Sequence, residues 1–311
     1  MSQVTESQRN SLDHVRLGLG AWAWGDRVVW QYGRGFDAND VRQAFEASLA
    51  EGIRLIDTAE IYGSGRSERL LGELIRGRQG EVAIATKFFP WPWRLTPRSI
   101  VSALRGSLRR MGVESVALYQ IHNPLSPLSP EALAEGLVEC MAAGLTRSVG
   151  ISNFGESQML RAYSALARHG VPLASNQLHF SLLQPQVAKN GLLARCKELG
   201  IRLIAYSPLE MGMLTGKYGR QRLPPGNRAV RYATLIGRIQ PLLKVMTEIG
   251  QDQGGRSNAQ VALNWVMAKG ALPIPGAKNA EQALDNAGAL AWSLDANQVA
   301  ALDAASDQIL R

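Results

Sequence analysis

Cysteine is nearly absent from the chain: there are two, Cys140 and Cys196, in 311 residues. Both fall on apolar stripes of expected helices and have no metal-ligand spacing. That excludes a disulfide scaffold and a zinc module, and it points to core residues in a reducing compartment. Long hydrophobic runs are missing as well. No stretch is apolar for long enough to cross a bilayer, and the opening MSQVTESQRN has no signal-peptide core, so a soluble cytoplasmic protein without membrane association is expected. A cluster of one charge sign is also lacking. The 34 Lys and Arg outnumber the 26 Asp and Glu, giving a formal net charge of +8, but they are spread along the chain and mixed with acids. No basic arm or stripe marks a nucleic-acid partner, and no ligand spacing marks a metal site.

What the chain does have is apolar material for a large core, 46% hydrophobic against 19% charged residues. It also has a repeat. Helical stretches end at Gly52, Gly77, Gly112, Gly144, Gly170, Gly200 and Gly270, and an apolar strand follows each at once. Glycine suits the left-handed position past a helix C-terminus because it has no Cβ to clash. The runs IRLIDTA, EVAIATK, VESVALYQIH, LTRSVGIS, VPLASNQL, IRLIAYSP and ALPIPGAK, with HVRLGLGAW before them, make eight strands. Between them, Val41, Ala44, Phe45 and Leu49 share one helical face, as do Ile100, Val101, Leu104, Leu108 and Met111. Thr96-Pro97 and Ser129-Pro130 signal helix starts, and Ser257 with Gln260 and Asp295 with Gln298 have capping-box spacing.

Strands alternating with helices require a parallel sheet covered by helices. A dinucleotide-binding open sheet would show G-x-G-x-x-G after its first strand, whereas GLGAWAWGD lacks the third glycine and Gly63-Ser64-Gly65 is followed by Glu68 at that place. Eight unbroken units favour a single (β/α)8 TIM barrel over residues 1–311, with long βα loops and two C-terminal helices near 279–289 and 295–311. The interval from Gly200 to Gly270 is about seventy residues where the others are about thirty. Its surplus, residues 210–232, is expected to be a lid or mobile cofactor clasp. A second enlarged loop, FFPWPWRLTP, follows the third strand.

Barrel active sites gather at the C-terminal strand ends. There the chain places Asp57, Lys87 and His122 at the ends of strands two, three and four, with Tyr62 in the loop after strand two. Singly, each has an ordinary reading: a cap, a surface phenol, a solvated strand end, a core histidine. Together, in this order, they resemble the catalytic tetrad of the aldo-keto reductase superfamily, most closely the bacterial and plant branch near pyridoxal reductases and potassium-channel β subunits. Reduction of a carbonyl by hydride builds negative charge on oxygen and needs a proton donor. In that reading Tyr62 donates, Lys87 lowers its pKa, Asp57 holds Lys87, and His122 orients the carbonyl.

The resemblance extends to the cofactor. It implies Ser152, Asn153 and Gln177 on the carboxamide, with Asp57 beside them. Tyr206 would stack on the nicotinamide, with Ser207, Pro208 and Leu209 following it. Gly212, Leu214, Lys217 and Arg228 would reach it from the long loop. Gly276, Lys278, Gln282, Asp285 and Asn286 would take the adenosine phosphate, Lys278 adding charge for a 2′-phosphate at a helix N-terminus. Many reductases of the superfamily have arginine where Gln282 stands. The implied cofactor is NADPH, with NADH second. Trp22, Trp91 and Trp93, together with Tyr62 and His122, would wall a pocket for a small-molecule carbonyl substrate, and Trp24 is a further aromatic of that loop. A nucleotide-sensing regulatory subunit of the channel-β type is the alternative, and a Schiff-base lyase using Lys87 a third; the intact His122 favours an enzyme, because the channel subunits carry another residue there. No feature of the sequence specifies an oligomeric state.

Overall fold

The computed structural model describes residues 12 and 14–310; the opening segment read for a signal peptide, the ends of the 1–311 domain assignment and the last residue of the terminal helix lie outside the described residues. Eight strands run parallel in sequence order: β1 (Leu19–Gly20), β2 (Leu55–Asp57), β3 (Ala83–Phe88), β4 (Leu118–Ile121), β5 (Val149–Ser152), β6 (Leu173–His179), β7 (Arg202–Tyr206) and β8 (Leu272–Ile274). The ring closes between the first and last. Gly18 and Gly20 donate to the carbonyls of Pro273 and Pro275 at 3.0 and 2.9 Å, and Gly20 bridges to Gly276. A Cβ on Gly18 would sit 2.9 Å from Ile274 Cγ2, and one on Gly20 2.8 Å from the Ile274 carbonyl. The two glycines therefore let the seam close, and they also weaken β1: the strand read as HVRLGLGAW contracts to two residues.

The helices α1 (Ala38–Ala50), α2 (Arg66–Leu74), α3 (Arg98–Met111), α4 (Pro130–Ala142) and α5 (Glu156–Ala167) each follow a strand. After β6 come α6 (Gln186–Lys189) and α7 (Leu192–Glu198). The stretch between β7 and β8 holds α8 (Asn227–Tyr232), α9 (Leu235–Arg238), α10 (Gln240–Asp252) and α11 (Asn258–Ala268). The terminal pair are α12 (Ala280–Ala287) and α13 (Ala296–Leu310). The enlarged segment is thus only partly loop; it opens with a tight 3-10 turn, Glu210–Thr215, and then becomes helical. No helix among the described residues is long and apolar enough to cross a membrane.

Local signals behave as their chemistry dictates, with two exceptions. Gly112 ends α3 at φ +65°, the Ser129 hydroxyl accepts from the Ala132 amide, and Asp295 and Gln298 exchange both capping-box bonds. Thr96 does not cap α3: the helix starts at Arg98 without a side-chain cap, and Ser99 instead donates to the Thr96 carbonyl at 2.6 Å. Gln260 takes the Ser257 cap but sends its own amide to Asp285, so that box is half made.

Two apolar layers hold the barrel. Leu55, Ala85, Leu118, Ala174, Ile204 and Leu272 fill its lower interior, and a larger cluster packs strands against helices. Side chains alternate along a strand, so the residue two places on from each inward apolar one also faces inward. Two places beyond Leu55, Ala85 and Leu118 stand Asp57, Lys87 and Gln120, all buried. The polar floor of the site therefore rests directly on the barrel core.

Candidate active site

Lys87 is completely buried, and its Nζ is fully engaged. It pairs with Asp57 Oδ1, donates to the Thr58 carbonyl at 2.9 Å and stands 3.5 Å from the Tyr62 hydroxyl. The second Asp57 oxygen accepts from Gln177 at 2.8 Å and from Gln120 at 3.4 Å. A buried ion pair holds only when its remaining lone pairs and protons are satisfied, and these bonds do that. Deeper still, Glu68 lies fully buried between Arg110 and the Thr86 hydroxyl, at 2.6 and 2.7 Å, and its charge favours the Lys87 ammonium. Burial itself pulls Lys87 below its ordinary pKa, with Asp57 opposing that shift.

Burial, followed by the Asp57 charge, pushes Tyr62 well above the ordinary phenol pKa. The phenol therefore holds its proton more tightly than free tyrosine does. His122 packs edge-on to Tyr62 at 5.7 Å between ring centroids, and its amide donates to the Phe88 carbonyl at 2.8 Å. Burial and then the Lys87 charge lower its pKa to about 3, so the imidazole is neutral near pH 7. Its Nδ1 is buried without a hydrogen-bond partner.

Tyr62 and Asp57 open onto a cleft between the strand ends and the loops that follow them. Of the residues read for a cofactor, Tyr206, Ser207, Pro208, Leu209 and Gly212 line it on one side, and Gly276, Lys278, Gln282, Asp285 and Asn286 on another. Lys217 and Arg228 also line it. Burial, with the Arg228 and Lys217 charges, brings Lys278 down to about 8. Arg228 Nε is buried without a partner. Converging cations and an unsatisfied donor fit an anionic group such as a phosphate. The start of α12 is less bare than expected: Asn279 accepts from the Gln282 amide and Gln282 from the Lys278 amide, at 3.0 and 3.1 Å.

Ser152, Asn153, Gln177 and Leu214 do not line the cleft, and of the tetrad neither do Lys87 and His122. Leu214 is buried in the core. The Ser152 hydroxyl donates to the Gln177 carbonyl, and the Asn153 amide donates to the His122 carbonyl and to Ser152. Asn153 Oδ1 accepts from the Tyr206 hydroxyl at 3.0 Å, so these polar groups brace one another and the tetrad.

The tryptophans divide. Trp22 lines the cleft with its ring 6.3 Å from that of Tyr62, whereas Trp24 is wholly buried and donates to the Ala277 carbonyl. Trp91 and Trp93 stack on each other at 5.1 Å outside the cleft, with Trp93 70% exposed. The reason is Glu60, which takes the Phe89 amide and both Arg94 amino groups and so fixes the course of that loop. One aromatic lining the cleft escaped the sequence reading. Trp30 stands with its ring 4.9 Å from the Arg228 guanidinium and 4.6 Å from Lys278 Nζ, edge-on to Trp22. Its loop is drawn in by Asp26, whose carboxylate accepts the amides of Val28, Val29 and Trp30. An aspartate followed by valines was the only local trace of that turn.

Residues 16–307 match the family model described as Aldo/keto reductase family, and the chain belongs to that oxidoreductase family. It is 42% identical over 305 residues to the chloroplastic pyridoxal reductase of Arabidopsis thaliana, covering 94% of this chain and 83% of that protein. Among solved structures it is similar to a glycerol dehydrogenase from Gluconobacter oxydans, at 27% identity and a TM-score of 0.79 over 95% of this chain and 91% of that one. An aldo/keto reductase from Klebsiella pneumoniae in complex with NADP and acetate gives 26% identity and a TM-score of 0.71, covering 93% and 90%.

Proposed function

We propose that the protein reduces aldehydes or ketones to alcohols using NADPH, with Tyr62 as the general acid. The observation that carries this is the phenol of Tyr62. It opens onto the cleft, keeps its proton through burial and the Asp57 charge, and lies 3.5 Å from an ammonium able to stabilise the phenolate left behind. NADPH, bound in the cleft, would supply the hydride.

The chain's own part is positioning and proton transfer. Neutral His122 hydrogen-bonds the carbonyl oxygen and sets its angle, and Tyr62 releases its proton as charge develops on that oxygen. Lys87 answers the new phenolate, while Asp57 keeps Lys87 charged and in place. Tyr206 would offer its ring to the nicotinamide, and Lys217, Arg228 and Lys278 would favour a nucleotide bearing a 2′-phosphate over NADH. Asn153, Ser152 and Gln177 would meet the carboxamide only by giving up one of their present bonds. The fully buried and occupied Nζ of Lys87 speaks against a Schiff base.

Pyridoxal is the first substrate to try, because the Arabidopsis relative is named a pyridoxal reductase and Trp22 and Trp30 offer aromatic walls to a flat ring. The buried, unpaired Cys140 and Cys196 suit a reducing compartment such as the cytoplasm. The experiment is NADPH and NADH consumption with a panel of aldehydes, ketones and pyridoxal. Consumption with NADPH preferred supports the reading, and binding without turnover across the panel defeats it.

A further inference from the structure

The turn that follows β7 is held by an acid the reaction does not use. Glu210 is 3% exposed and sits at φ +47°, followed by Met211 at φ +52° and Gly212 at φ +94°. Left-handed conformation in two successive non-glycine residues is unfavourable and persists only where surrounding contacts enforce it. Here the contacts are polar. The buried carboxylate accepts from Tyr232 on α8 at 2.9 Å and from Ser181 at 3.2 Å, and it bonds His179 Nε2 at 2.8 Å. Hydrogen bonds from His179, Tyr232 and Ser181 outweigh the effect of burial and keep its pKa below the ordinary value. Arg228, also on α8, ties to the same turn by donating to the Met211 carbonyl at 3.1 Å.

From Glu210 a chain of contacts leads to the candidate catalytic groups. The His179 ring stacks on Tyr206, with centroids 5.1 Å apart and planes 17° from parallel. Tyr206 donates to Asn153, and Asn153 donates to the His122 carbonyl at 3.0 Å. One end of this chain is α8 and the other is the tetrad histidine.

We propose that Glu210 is a positioning residue that couples seating of the α8 lid to the orientation of the Tyr206 platform. The proposal rests on the reading of Tyr206 as the surface that receives the nicotinamide. When α8 docks, Tyr232 completes the shell of the carboxylate, and the carboxylate in turn fixes His179 against Tyr206. Freeing α8 leaves a buried acceptor short of a donor and loosens the platform, so lid and platform move together.

The test is a mutant cycle read by stopped-flow release of NADPH and by single-turnover reduction. Tyr232→Phe removes only a hydroxyl from a residue outside the cleft lining. It should release NADPH roughly tenfold faster, the loss expected for one hydrogen bond to a charged group, and it should slow the single turnover as well. In a Glu210→Ala background the same change should have no further effect on either rate, because the relay is already cut. Glu210→Gln, which keeps an acceptor, should recover part of the loss, and it carries the test if Glu210→Ala fails to fold. Equal effects of Tyr232→Phe in both backgrounds, or faster release with an unchanged single turnover, would overturn the coupling. Failure of the native protein to bind NADPH at all would instead remove the cofactor reading on which it stands.

Discussion

Lys87 Nζ makes its longest hydrogen bond, 3.5 Å, to the Tyr62 hydroxyl, while its closer bonds go to the Asp57 carboxylate and the Thr58 carbonyl. The ammonium therefore serves two roles that separate on mutation: one half of a buried ion pair, and the nearest charge to the phenol.

Removing one partner leaves the other charged and alone. Lys87→Met is expected to cost about 3–5 kcal/mol of stability and all measurable turnover. The double change Asp57→Leu with Lys87→Met should recover much of the stability while turnover stays lost. Urea unfolding alongside NADPH consumption separates the two.

His122 titrates at about 3, well below the ordinary histidine value. Its charge therefore stays constant from pH 5 to 8, and no step in kcat/KM across that range should vanish in His122→Gln. The linkage runs the other way in acid. A histidine with lowered folded pKa binds fewer protons folded than unfolded, so stability is full above the unfolded value near 6.5 and is lost as pH falls toward 3. Urea midpoints at pH 7 and 4.5 should fall further apart in the native chain than in His122→Gln.

Lys278, at about 8, offers a charge to phosphate in neutral solution and loses it in base. Affinity for NADPH relative to NADH should be greatest near pH 7, where the 2′-phosphate is also ionised, and should fall as pH rises past 8. A bound phosphate raises the lysine's own pKa, so the decline reflects the free protein. Lys278→Met should flatten the profile and weaken NADPH binding about tenfold, measured by fluorescence titration with both nucleotides.

Burial pushes the Cys140 and Cys196 thiols up to about 12, and neither side chain is exposed. Since the thiolate is the reactive form, a colorimetric thiol reagent should find no reactive cysteine in the native protein and two in denaturant.

The barrel was legible because glycines such as Gly112 mark helix ends by a local rule, and because residue order alone places Asp57, Lys87 and His122 at successive strand ends. What was not legible depends on partners far along the chain. The outward stacking of Trp91 on Trp93 follows from Glu60 and Arg94, 34 positions apart. Trp30 enters the cleft through Asp26 and meets Arg228 nearly 200 residues later. The phenol's raised pKa could not be anticipated from the presence of Lys87, because it depends first on burial of the Tyr62 ring and then on the Asp57 charge. Glu210 gave no local sign, since an acid in a loop ordinarily faces water.

The most direct test of the account compares native protein with Tyr62→Phe, measuring NADPH binding and aldehyde-dependent NADPH oxidation, pyridoxal included. The account predicts that the variant binds NADPH within a few-fold of native while turnover falls by about 100-fold or more, the scale of general acid catalysis. Turnover retained near the native level in the variant would contradict it.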